Sequence, residues 1–80
     1  FFGISVYMYF GDHAPPHFHA KYNEAEALIE IDHLQLLAGN LPPRALGLVM
    51  EWALLHRQEL SANWKKMEQN QPMDKIAPLQ

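Results

Sequence analysis

The stretch His17-Phe18-His19-Ala20-Lys21-Tyr22-Asn23-Glu24-Ala25-Glu26-Ala27-Leu28-Ile29-Glu30-Ile31 decides the fold. Two runs of strand-forming residues flank Asn23-Glu24. A two-residue loop there makes an antiparallel hairpin, and the loop length sets its register. Tyr22 then faces Ala25, Ala20 faces Ala27 and Phe18 faces Ile29, so one face is apolar throughout. The other face pairs Lys21 with Glu26, His19 with Leu28 and His17 with Glu30, and the opposite charges of the first pair support the same register.

Upstream, Ile4-Ser5-Val6-Tyr7-Met8-Tyr9-Phe10 alternates with period two and predicts a strand, followed by a connecting loop over residues 11–16. Downstream, Asp32-His33 reads as a turn into a shorter strand, Leu34 to Leu37, with Ile31 opposite Leu34 and Ile29 opposite Leu36. Asn40 or a neighbour is placed to cap a helix that carries Pro42 and Pro43 in its first turn. From Arg44 to about Gln69 the residues Ala45, Leu48, Val49, Trp52, Leu55, Leu60, Trp64 and Met67 recur at spacings of three and four, which predicts one amphipathic helix. Pro72 stops it, and residues 71–80 read as an extended tail lying back over the core.

The expected architecture is therefore α+β: an antiparallel three- to four-stranded β-meander with one long C-terminal α-helix packed on one face, in a single domain of residues 1–80. The helix, with Trp52 and Trp64 in the core, covers Ile4, Val6, Met8, Phe10, Phe18, Ala20, Ala27, Ile29 and Ile31. The opposite face stays open and carries Ser5, Tyr7, Tyr9, His17, His19, Lys21, Glu26, Leu28 and Glu30, a mixture of groups suited to binding.

Composition narrows the function classes. A net charge of −3 provides no overall positive field to draw nucleic acid or an anionic membrane. Arg44, Arg57, Lys65 and Lys66 share one helix but are interleaved with Glu51, Glu59 and Glu68. The absence of cysteine removes disulfides, thiolate metal sites and a Cys nucleophile, and fits a reducing cytosol. No apolar run approaches the ~20 residues that span a bilayer. A cytoplasmic location is expected.

The densest chemical signal is Asp12-His13-Ala14-Pro15-Pro16-His17-Phe18-His19. His17 and His19, two apart on a strand, project from one face about 7 Å apart at their Cα atoms. They are placed to share a divalent transition metal such as Zn²⁺, with Glu30 or His13 as third ligand. They are equally placed for acid–base work on an RNA phosphodiester, with Lys21 or Arg44 holding the phosphate and Tyr7 donating a hydrogen bond. A structural reading has half-exposed histidines bonded to Asp12 on a loop stiffened by Pro15-Pro16, and a fourth has them facing a partner protein. His33 falls at the same sheet end as His13, whereas His56 packs or caps on the helix. Arg44, at a helix start where the dipole favours acids, is a candidate for an anion or a partner's carboxylate.

The run Gly11 to Ala20 strongly resembles the hallmark of the bacterial domain of unknown function 4160. The resemblance continues through Phe1-Phe2-Gly3-Ile4, Tyr7-Met8-Tyr9, Leu41-Pro42-Pro43-Arg44-Ala45-Leu46, Val49-Met50-Glu51-Trp52, Leu55-His56-Arg57, Leu60, Asn63-Trp64 and Lys75-Ile76-Ala77-Pro78-Leu79. The family's motif has Asp in place of Gly11 and Asn in place of Ala14, so any ligand those side chains supply in relatives is missing here. The resemblance implies a small gene beside a second short gene, in pairs suspected of being toxin–antitoxin modules, and assigns no catalytic residue.

Together these features predict a protein-interaction module. Its contact surface is the open sheet face or an edge strand, and its partner is the neighbouring gene's product or a second copy. The alternative is a small hydrolase or ribonuclease using His13, His17 and His19, with or without a metal.

Overall fold

The computed structural model describes residues 1–79. Four strands, β1 (Ile4–Tyr7), β2 (His17–Tyr22), β3 (Ala25–Glu30) and β4 (Leu36–Gly39), form one antiparallel sheet in chain order, and helices α1 (Pro43–Leu55) and α2 (Arg57–Glu68) follow. The α+β meander holds. The hairpin β2–β3 has the expected register at every position, from His17 opposite Glu30 to Tyr22 opposite Ala25, with Asn23 in the left-handed conformation that the tight turn requires.

The apolar face of the sheet buries Ile4, Phe18, Ala20, Ala27 and Ile29, with Ile31 just beyond β3, against Ala45, Val49, Trp52 and Ala53 of α1 and Leu60, Trp64 and Met67 of α2. Phe18 meets Trp52 edge to face at 6.0 Å between ring centres. Burying these side chains is the main source of stability in so short a chain.

Three expectations are corrected. The first strand stops at Tyr7, opposite His19, instead of running to Phe10. Beyond it the Asp12 amide donates to the Tyr9 carbonyl at 3.3 Å, closing a turn through Gly11, whose φ is +86°. Met8 stays half-buried on the core, whereas Phe10 leaves it and is exposed. The fourth strand starts two residues late: Ile29 does face Leu36, but Leu34 adopts a φ of +48°, and the Glu30 amide donates to Gln35, so a wider turn replaces the Ile31–Leu34 pair. The Ile31 amide donates to the Pro16 carbonyl instead, at 2.9 Å. At the far end of β4, Gly39 has a φ of +68° and lies so close to β3 that a Cβ there would stand 2.1 Å from the Glu26 carbonyl oxygen.

The third correction is the helix. A single helix from Arg44 to Gln69 would extend roughly 39 Å at the standard rise, while the molecule's longest dimension is 33 Å. The chain breaks at His56 (φ −117°, ψ 24°), and the bend returns α2 over the core. Leu55, assigned to the buried stripe by spacing, therefore points outward and is 67% exposed. Pro42, not Asn40, occupies the N-cap position, and the Asn40 side chain accepts a bond from the Leu41 amide.

After α2 the described part of the tail crosses the core without forming helix or strand. Trp52 Nε1 donates to the Ala77 carbonyl at 2.8 Å. The buried Asn63 side chain both donates to the Asp74 carbonyl and accepts from the Asp74 amide, at 2.8 and 2.9 Å. Lys66 bonds the Asp74 carboxylate. Among the described residues, no helix is long and apolar enough to cross a membrane.

Candidate metal centre

The sheet face opposite the helices is not open where its histidines lie. His17 and His19 are only 7% and 8% exposed. Tyr7, across from His19 on β1, lays its ring parallel to the His19 ring (9° between planes, centres 5.3 Å apart), and Tyr9 packs edge-on against the same imidazole at 4.8 Å. Trp64 of α2 reaches His17 at 5.2 Å. The Tyr9–Asp12 turn that follows β1 also carries the Asp12 carboxylate back over β2.

Asp12 Oδ2 stands 3.1 Å from His19 Nε2 and 3.5 Å from His17 Nε2. One ligand atom from each of the three residues can be chosen such that all lie within 4.8 Å of one another. Around a tetrahedral ion with bonds near 2.1 Å, ligand atoms sit about 3.4 Å apart, so a small closure completes the geometry.

The hydrogen bonds decide which ring nitrogens are free. His17 Nδ1 lies 2.8 Å from the Pro15 carbonyl oxygen, which can only accept, so Nδ1 carries the proton. In neutral His17 the Nε2 lone pair then faces a carboxylate oxygen, acceptor against acceptor. His19 presents the same conflict at its other end. If Nε2–H donates to Asp12, the Nδ1 lone pair is left facing Glu26 Oε2 at 3.7 Å, and Nδ1 is buried without a hydrogen-bond partner among the described residues. With a cation held among the two Nε2 atoms and Asp12, both conflicts would be removed: each Nε2 lone pair would serve as a ligand, and His19 would carry its hydrogen on Nδ1, facing Glu26. Donor type, spacing and burial all fit a borderline ion held by two imidazoles and a carboxylate. Such a set leaves coordination positions for water or another ligand.

Residues 3–65 match the family described as Domain of unknown function (DUF4160). The chain belongs to this family. Its Asp12, His17 and His19 all fall inside the matched DUF4160 segment. Searches of curated proteins and of solved structures return no significant match.

Of the other residues singled out by sequence, Tyr7 and Tyr9 flank the centre, and the rest lie apart from it. His13 is exposed on the loop and outside the ligand group, since its neighbour Asp12 is the residue turned inward. Glu30, opposite His17, gives its carboxylate to His33 Nδ1 at 2.6 Å, with Gln35 3.4 Å away. Lys21 is exposed, and no ion pair joins it to Glu26 among the described residues. Arg44, exposed in the first turn of α1, lines a groove with Phe2 and Tyr22 at the opposite end of β2. His56 bonds Glu59 at the helix break and packs on Trp52.

Two participants escape a reading by periodicity. Asp12 is legible as a bonding partner for the histidines but not as the third member of the group, because its position depends on the loop path. Glu26 reads as a partner for Lys21, yet it accepts the Tyr7 hydroxyl proton instead.

Proposed function

We propose that the chain is a metal-binding domain in which Asp12, His17 and His19 hold one divalent transition ion, Zn²⁺ being the best match to the donor set. The observation that carries this reading is the meeting of the His17 and His19 Nε2 atoms on Asp12 Oδ2, with His17 Nδ1 already committed to the Pro15 carbonyl. When bound, such an ion supplies a Lewis acid and an acidified water, which makes a small hydrolase the activity to test. The protein's own part is to hold the donors under an aromatic cover and to set the tautomer of His17. Calorimetric titration with Zn²⁺, Mn²⁺ and Ni²⁺ tests the proposal. Micromolar or tighter binding is expected, and it disappears in a His17→Ala, His19→Ala double variant. Equal heats from both proteins refute it.

A second reading, an interaction module paired with the product of a neighbouring gene or with a second copy, is supported by β4. All four of its residues are exposed, including Leu36 and Leu37, and it forms an edge of the sheet. In the homodimeric form of this reading, light scattering gives twice the 9.2 kDa chain mass, and Leu37→Lys returns it to the monomer. A wild-type mass of one chain at high concentration removes the homodimer.

A further inference from the structure

We infer that Glu26 is a positioning residue of this centre and that Tyr7 holds Glu26 in place, forming a Tyr7–Glu26–His19 chain behind the ion. The inference rests on the metal reading above and adds to it the residues that orient one ligand. It starts from an anomaly on the sheet. Glu26 faces Lys21 directly across the β2–β3 ladder, an arrangement that ordinarily yields a cross-strand ion pair. Its carboxylate leans instead over β2 toward β1, where it accepts the Tyr7 hydroxyl proton and stands 3.7 Å from His19 Nδ1.

Two features give this geometry a purpose beyond structure. His19 Nδ1 is a buried polar atom without a partner among the described residues, a state that costs stability unless something satisfies it. The atom aimed at it is a carboxylate oxygen, which suits only the tautomer with hydrogen on Nδ1, and that tautomer leaves Nε2 free to bind an ion. A shift of under about 1 Å brings the pair to hydrogen-bond length. Metal-bound histidines generally donate the other ring N–H to a carboxylate or carbonyl, which fixes the ring and raises its basicity. His17 already has such a partner in the Pro15 carbonyl, and Glu26 is the equivalent for His19. Tyr7 contributes twice, by tying down the Glu26 carboxylate and by stacking flat on the His19 ring.

The test measures Zn²⁺ affinity of the full chain by competition with a chromophoric chelator, alongside nitrogen NMR of His19 in the zinc-loaded protein. Glu26→Ala is expected to weaken binding about 10- to 100-fold and to expose the His19 Nδ1 proton to fast exchange. Glu26→Gln, which keeps an acceptor oxygen, recovers part of the affinity, Tyr7→Phe shows a smaller loss, and Glu24→Gln, which removes a charge at the exposed turn, changes nothing. Unchanged affinity and exchange in Glu26→Ala overturn the role of Glu26 while leaving the metal centre standing. A wild-type chain that binds no zinc overturns both.

Discussion

The imidazoles of His17 and His19 lie 5.4 Å apart at 56° to each other, and both aim Nε2 at a single oxygen of Asp12. Strand geometry alone puts two such side chains on one face and leaves the tilt of their rings open. Here Trp64 on one side and the Tyr7–Tyr9 pair on the other set their tilt, so the shared target is built by the packing around them. The loop between β1 and β2 supplies the target.

In the proposed centre the Asp12 carboxylate would serve the ion at a cost to the metal-free protein. Asp12→Asn is expected to abolish metal binding and to raise the unfolding free energy of the metal-free chain by about 1 kcal/mol. The new amide can donate to both Nε2 lone pairs where the carboxylate can only accept. Urea denaturation in the presence of chelator, paired with a zinc titration, checks both parts.

The Tyr7 hydroxyl is held well above its ordinary titration range, first by its bond to the Glu26 carboxylate and then by burial and Tyr9. Raised in the folded state, it contributes stability that is fully present below the ordinary tyrosine value near 10 and is lost as pH rises beyond it. Following phenolate absorbance with pH, the Tyr7 step is expected well above the ordinary tyrosine range. Glu26→Gln brings the late step down, and Tyr7→Phe deletes it.

Gly39 and Gly47 respond in opposite directions to alanine. At Gly39 the φ of +68° and the 2.1 Å approach to the Glu26 carbonyl leave no room, and Gly39→Ala is expected to cost more than about 2 kcal/mol. Gly47 is exposed inside α1, with nothing among the described residues within 4 Å of an added Cβ, so Gly47→Ala gains about 0.5–1 kcal/mol. Thermal unfolding of the two variants separates them.

Asn63 anchors the tail through both the amide and the carbonyl of Asp74. Asn63→Ala leaves those backbone groups and the site around them short of partners, for a loss of about 1–3 kcal/mol. Limited proteolysis should then cut first between residues 70 and 79, and an unchanged digestion pattern would show that the tail is held by its apolar contacts alone.

The sheet was more legible than the helices. Parity and a two-residue loop determine the β2–β3 register because a slip by one residue would turn Phe18 and Ile29 to the wrong face. Helical spacing places Trp52, Leu60 and Trp64 in the core equally well with or without a bend, so only the size of the domain exposes the break at His56. Leu34 shows no local sign that it takes a left-handed conformation, and the start of β4 moved accordingly. At the site, His17 and His19 were visible as a pair, while Asp12 and Glu26 depend on a loop path and on a diagonal reach across a strand. Neither leaves a periodic trace.

Long-range nitrogen–proton NMR of the histidine rings before and after one equivalent of Zn²⁺ reads the metal centre at its own ligand atoms. His17 and His19 are both expected to shift at Nε2 and to carry hydrogen at Nδ1 in the zinc-loaded protein, while His13, His33 and His56 are unaffected. Rings of His17 and His19 that stay unchanged on adding zinc, or that hold a proton on both nitrogens throughout, would contradict the proposed centre.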